Sequence, residues 1–185
     1  MIQSKNTANN GIKYHAGRLL ATYESGSAYE LSLDPAMETK GLCDFDRSFG
    51  TTDFWMDNMT AHAKVCPVSG EMVYIGYNLI DVDSDGVTEV TVGVIGSDGR
   101  RTHRASVPVL RPSMQHDVGI TATRTVLLDG PLVFDLARVM AGGLPFAFEG
   151  DQTMRIGVMP RHGTAEDMTW IDTGESCYAY HVVQP

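Results

Sequence analysis

The side chains of this sequence that could bind a transition metal are six histidines: His15, His62, His103, His116, His162 and His181. Neutral imidazole suits iron, zinc, copper and nickel. Composition alone does not sort these six, and a lone His on a strand is more often a satisfied core or surface residue than a ligand. Their local contexts do separate them. His62 lies in Thr60-Ala61-His62-Ala63-Lys64, just ahead of a turn and a strand. His116 lies in the stretch 111–121, which joins two strands, and His181 lies in Cys177-Tyr178-Ala179-Tyr180-His181-Val182-Val183 among aromatic and apolar neighbours. A facial triad of two His and a carboxylate would open as H-x-D or H-x-E. Neither spacing occurs, since Asp117 directly follows His116.

Other chemistries find less support. Asp81-Val82-Asp83-Ser84-Asp85-Gly86 opens like a calcium loop, but the bidentate Glu of that loop would fall at Val92, and strands flank it. It reads as an Asp-rich turn, with a weak surface cation site as the lesser alternative. No G-x-S-x-G, P-loop or G-x-G-x-x-G is present, so serine hydrolysis and nucleotide binding lack local support. Cys43, Cys66 and Cys177 make an odd count without a CxxC. That argues against a disulfide framework or a Cys-based zinc site and fits a reducing compartment.

The elements that must position these side chains are strands. Val87 to Ile95 alternates and is rich in β-branched residues; the turn Gly96-Ser97-Asp98-Gly99 leads into Arg100 to Leu110, which makes a hairpin. Further strands are expected at Arg18 to Tyr23, Tyr29 to Leu33, Glu71 to Tyr77, Thr123 to Leu128, Thr153 to Met159 and Cys177 to Val183. The best helix is Asp135 to Ala141, about two turns, stopped by Gly142-Gly143. Short strands with turns between them mean an all-β sandwich, barrel or propeller. Three His from distant strand ends converge only if the strands surround a common axis, as they do in a propeller.

Composition sets the outer limits. The 185 residues include 14 Lys+Arg against 23 Asp+Glu, a net charge of −9, so a nucleic-acid partner is not expected. With 43% hydrophobic and 20% charged residues the chain is globular. No apolar run of about 18 residues occurs, so no transmembrane segment is expected, and the N-terminus lacks the apolar stretch of a signal peptide.

Several stretches carry a family resemblance. They are Asn6-Thr7-Ala8-Asn9, His15-Ala16-Gly17-Arg18-Leu19-Leu20-Ala21, Thr60-Ala61-His62-Ala63-Lys64, Gln115-His116-Asp117-Val118-Gly119-Ile120-Thr121, Gly130-Pro131-Leu132-Val133-Phe134-Asp135, Arg155-Ile156-Gly157-Val158-Met159-Pro160-Arg161 and Trp170-Ile171. In this order and spacing the chain resembles the carotenoid cleavage oxygenases, which include carotenoid, apocarotenoid and lignostilbene dioxygenases. The resemblance implies a seven-bladed β-propeller with Fe(II) on its axis, held by four His. Carried over, His62 resembles the first ligand, His116 the second and His181 the third, while Glu24 resembles an outer carboxylate that bonds a ligand His, expected to be His116. His15, His103 and His162 match no ligand position and read as structural or surface residues.

The implied activity is cleavage of one C=C bond of an apolar polyene or stilbene by O₂, giving two carbonyl products. Stilbene-cleaving relatives carry a Lys directly before the Glu matched by Glu24; Tyr23 stands there instead, which favours a carotenoid or apocarotenoid. At about 40–45 residues per blade the chain holds three to four blades. Residues 1–185 are therefore expected to be one segment of a propeller oxygenase domain, lacking N-terminal and C-terminal parts. The fourth His has no counterpart, so the isolated chain is expected to be inactive. The rival reading is a truncated, non-catalytic β-domain that binds an apolar ligand or a partner. Leu136, Val139, Met140, Leu144, Phe146 and Phe148 read first as ordinary core of a short helix and loop, and second as an apolar entry patch in peripheral contact with a membrane. The expected location is cytoplasmic.

Overall fold

Tight turns of small residues lay the chain down as antiparallel sheets. The computed structural model describes residues 7–24, 26–46, 58–77, 79 and 87–183. Strands β1 (Gly11–His15) and β2 (Arg18–Thr22) pair with His15 opposite Arg18. Between them Ala16 and Gly17 both have positive φ, 48° and 77°, as a type I′ turn requires. The twist of that turn matches the twist of the strands it joins. Strands β3 (Tyr29–Leu31) and β4 (Thr39–Leu42) complete a four-stranded sheet in sequence order.

The second sheet comprises β5 (Lys64–Val65), β6 (Met72–Tyr77), β7 (Thr88–Ile95) and β8 (Arg101–Val109), again in sequence order. The strands expected at Glu71 to Tyr77, Val87 to Ile95 and Arg100 to Leu110 are β6, β7 and β8 with trimmed ends. Every residue of β6 is buried because both of its faces are covered. Met72 and Tyr74 pack with Leu20, Phe45 and Met59 on one side. Val73, Ile75 and Tyr77 pack with Val90, Val92 and Val107, and with Leu127 and Met159, on the other. The period-two alternation of a strand thus feeds two cores. Each fully buried apolar side chain contributes about 1.5–3 kcal/mol. Gly93 lies opposite Tyr74 in the register, and a Cβ there would run into the tyrosine ring. Pro108 is tolerated because β8 is an edge strand.

The third sheet starts with β9 (Gly119–Ile120) and β10 (Arg124–Asp129). The chain then leaves it for a two-stranded ribbon, β11 (Leu132–Phe134) and β12 (Phe146–Phe148), with helix α1 (Leu136–Met140) between them. It returns as β13 (Arg155–Pro160) and β14 (Thr169–Asp172), giving the order β14-β13-β10-β9. Asp135 caps α1 by accepting from the Arg138 amide at 3.1 Å, and Gly142, at φ 81°, ends it. No residue of α1 is buried. Leu136, Met140, Leu144 and Phe148 are all at least half exposed, at 50%, 80%, 78% and 51%. The ordinary-core reading therefore fails for these four side chains within this chain, whereas Phe146 is half-buried and meets the Phe134 ring edge-on at 5.7 Å.

The all-β expectation holds: among the described residues the helical elements are α1 and one 3-10 turn at Ala165–Asp167. One strand expectation is corrected. Cys177 to Val183 is irregular and joins no sheet. Its backbone bonds to a side chain instead of a ladder, since the Val182 N–H donates to the Asp117 carboxylate at 2.8 Å. The Asp-rich stretch 81–86 lies outside the described residues. Among the described residues no helix is long and apolar enough to cross a membrane.

Candidate metal centre

The ends of strands and the loops between sheets bring three distant histidines together. His62 sits two residues before β5, His116 in the connection from β8 to β9, and His181 in the irregular stretch after β14. Their ring centroids are 4.5 Å apart for His62 and His116, 4.8 Å for His62 and His181, and 5.0 Å for His116 and His181. One ring nitrogen from each lies within 4.8 Å of the others. Three imidazoles with one nitrogen each at that spacing are a donor set for a borderline or transition metal ion. This group is the one His/Cys/Asp/Glu cluster of that kind among the described residues.

Glu24, just past β2, fixes the middle ring. Its Oε2 lies 3.1 Å from His116 Nδ1. A carboxylate on one ring nitrogen sets the tautomer and leaves the other nitrogen to face the cluster. Glu24 is held in turn from behind: the Tyr77 hydroxyl donates to its Oε1 at 2.9 Å. The glutamate raises the basicity of His116 above the ordinary imidazole range, against the opposing effect of burial. Burial, followed by the neighbouring His116, lowers His62 and keeps it neutral, the form that ligates. Burial and then Glu24 push the Tyr77 hydroxyl well above its usual range, so it remains a donor. Tyr180 meets the His116 ring edge-on at 5.5 Å, and Tyr178 packs against Tyr180 at 4.8 Å.

Behind the rings lies a second set of polar contacts. The Asp117 side chain, 1% exposed, takes Lys64 Nζ at 2.9 Å on Oδ2. The same oxygen accepts from the Val182 N–H at 2.8 Å, and Oδ1 accepts from the Val118 N–H at 2.8 Å. His62 and Asp117 are also joined by a parallel β-bridge.

The four residues singled out in the sequence, His62, His116, His181 and Glu24, therefore lie in one cluster. His15, His103 and His162 do not. His15 Nε2 lies 2.9 Å from Gly70 O, His103 Nε2 lies 2.9 Å from Gly163 O, and His162 Nε2 lies 2.9 Å from Glu71 Oε1. Sequence reasoning gave no role to Lys64, Tyr77 or Asp117. Lys64 and Asp117 stood within two residues of a histidine, and that proximity was the available signal. Tyr77 merely ends a buried strand, and nothing in the sequence places its hydroxyl on Glu24.

Comparison with known proteins places the chain in a family. The family model described as "Retinal pigment epithelial membrane protein" matches residues 1–184. A carotenoid 9,10(9',10')-cleavage dioxygenase 1 from Phaseolus vulgaris is 31% identical over 179 residues, covering 95% of this chain and 31% of the relative. Resveratrol cleavage oxygenase 1 from Chaetomium globosum is 33% identical over 168 residues, covering 90% of this chain and 27% of the relative. Among solved structures, the Pseudomonas brassicacearum lignostilbene dioxygenase superposes with a TM-score of 0.76 at 28% identity, covering 90% of this chain and 33% of that one. A cobalt-substituted Synechocystis apocarotenoid oxygenase gives 0.78 at 21% identity, covering 98% and 37%, a likeness of fold. The chain thus spans about a third of the length of these relatives. The solved relatives are β-propellers, and the four-stranded antiparallel sheets seen here are the building units of that fold. The chain belongs to the retinal pigment epithelial membrane protein family, that of the carotenoid cleavage oxygenases.

Proposed function

We propose that this chain is one segment of a longer propeller oxygenase domain, residues 1–185 of it, and that the whole protein cleaves a C=C bond with O₂. The observation that carries the reading is the convergence of His62, His116 and His181, with ring nitrogens within 4.8 Å. The donor set suits Fe(II): all three donors are imidazoles, His62 is held neutral by burial, and Glu24 occupies the outward nitrogen of His116. When bound, Fe(II) would supply the O₂ chemistry of the site. His62, His116 and His181 would hold it, with a fourth His from beyond this segment. Glu24 orients His116, and Tyr77 keeps Glu24 in place. Apolar and aromatic surface beside the histidines, Tyr180 included, would place one double bond and exclude water. One C=C bond and one O₂ become two carbonyl groups, so no external reductant is required.

The substrate we favour is a carotenoid or apocarotenoid. Tyr23, not Lys, precedes Glu24, and cleavage dioxygenases of that class are among the relatives. A stilbene is the runner-up, because a resveratrol cleavage oxygenase is equally similar in sequence. The deciding experiment loads the full-length protein with Fe(II) and supplies an apocarotenal and a hydroxystilbene in separate aerobic reactions. Two carbonyl products from the apocarotenal are expected. Products from the stilbene alone would reverse the substrate assignment. Iron uptake with no product from either would favour the non-catalytic apolar-binding domain.

A long apolar substrate must leave a membrane or micelle, and we assign that contact to the exposed side chains of Leu136, Met140, Leu144 and Phe148. The protein would then be cytoplasmic and peripheral to a membrane. Replacing Met140 and Leu144 by Ser is expected to lower co-sedimentation with neutral liposomes several-fold; unchanged binding would remove the assignment.

A further inference from the structure

Three histidines can form one site only if three separate stretches of chain are held to a common position. Two of those stretches are anchored by regular structure: His62 leads into β5, and His116 leads into β9. The third is not. Residues 173–183 lie outside every strand and helix, and His181 itself is exposed. A ligand set tolerates an error of about 0.5 Å in its members, so something else must fix this stretch.

The geometry points to Asp117. Its carboxylate is buried, and its partners lie 53 residues away in one direction, at Lys64, and 65 in the other, at Val182. Lys64 stands two residues after His62, Asp117 one after His116, and Val182 one after His181. Lys64 Nζ closes the ring of contacts by also reaching Val182 O at 3.4 Å. One oxygen, Oδ2, therefore ties all three histidine-bearing stretches together. Both bonds to it are charge-assisted, and the buried carboxylate is matched by an ammonium group only 18% exposed. We propose that Asp117, with Lys64, is the positioning residue of the triad, and that it locks the His181 stretch onto the frame carrying the other two. This inference rests on the metal-site reading for its purpose, though not for its geometry.

The test uses two readouts on the full-length protein. Hydrogen exchange of the peptide spanning 178–183 in metal-free protein reads the lock directly. Titration with Co(II), followed by its visible d–d bands, reads its effect on the site. For Asp117→Asn, exchange of that peptide should speed up by about tenfold or more while β7 stays protected. Co(II) affinity should fall by about tenfold, the low end of the range for a group bonded to a ligand ring, because Asp117 acts on the backbone beside His181 and not on a ring. Lys64→Met should show the same pattern more weakly, and Lys64→Arg should restore it. If Asp117→Asn also deprotects β7, it has unfolded the sheet, and the Lys64 pair decides. Unchanged exchange at 178–183 overturns the proposal whatever the metal does. Faster exchange with unchanged Co(II) affinity overturns its role in the site. A wild-type protein with no histidine-ligated Co(II) spectrum would sink the metal reading, while the exchange result still decides the lock.

Discussion

Two groups of histidines pack ring against ring in this molecule, and only one of them looks built for a metal. His103 and His162 meet edge-on at 5.6 Å, but each spends Nε2 on an ordinary partner, a backbone carbonyl for His103 and the Glu71 carboxylate for His162. His62, His116 and His181 pack at 4.5–5.0 Å and bring one nitrogen each within 4.8 Å of the other two. There the carboxylate, Glu24, takes the outward nitrogen of His116. Proximity of imidazoles therefore does not make a site. What separates the two groups is where the remaining nitrogens point once the outer partners have taken theirs.

Alanine in place of His62, His116 or His181 breaks the comparison most severely. In the full-length protein each substitution should cut metal retention by more than about 100-fold, beyond the range of an outer partner, and should abolish the proposed cleavage. His103→Ala and His162→Ala should leave metal content at the wild-type level. Elemental analysis of the five purified variants checks this. Full metal retention by any triad variant would show that the three rings do not act as one site.

The next effect sharpens the role of the outer carboxylate. Glu24→Gln keeps the shape of the side chain but removes the charge that faces His116 Nδ1. Metal affinity should drop by about 10–100-fold. Tyr77→Phe removes only the neutral donor behind Glu24 and should cost about 0.5–1.5 kcal/mol, roughly two- to thirteen-fold in affinity. The order of the two is the check. A Tyr77→Phe loss equal to that of Glu24→Gln would mean that Glu24 has no defined position without the tyrosine.

Much of this was legible in the sequence, and the limits have physical causes. β6 and β7 could be read because Met72–Tyr77 and Thr88–Ile95 are long, apolar and β-branched. The two-residue strands β5 and β9 were missed because a strand that short has no period to detect. Cys177 to Val183 has strand-like residues yet no ladder, because an aspartate 65 residues away takes the Val182 amide. No local pattern encodes such a long-range choice. The triad itself was legible only through contexts shared with a family; spacing did not mark it. Lys64 and Asp117 stood in those same stretches, but their mutual contact depends on how separate sheets come together.

The smallest effect belongs to the other histidine group, whose neighbours should give the protein a pH response of their own. His162 and Arg161 both bond Glu71, and the buried Arg161 guanidinium also reaches Ser69 Oγ and Thr121 O. Beside them the Cys66 thiol is 2% exposed. The Ser69 amide lowers it, and with Arg161 outweighs burial, bringing it from 9.0 to about 6. A folded-state value below the unfolded one means that the unfolded chain binds more protons in this window. The contribution to stability is complete above pH 9 and is lost as pH falls toward 6. Glu71 acts in the same direction in acid: burial pushes its carboxyl up, but Arg161 and Ser69 outweigh it and hold the group below 4.5. Its share is complete above the ordinary carboxylate range and is lost only below it. Chemical unfolding of metal-free protein at pH 6 and pH 9 should therefore show stability rising with pH, and Cys66→Ala should flatten the rise. Each kcal/mol involved moves the thermal midpoint by about 2–4 °C in a chain of this size. Metal retention should be unaffected by Cys66→Ala at either pH, because the contacts of this group run to Ser69, Glu71 and Thr121 and not to the triad. If the slope survives Cys66→Ala unchanged, the thiol is not ionised where the fold holds it, and the pH response has its source elsewhere.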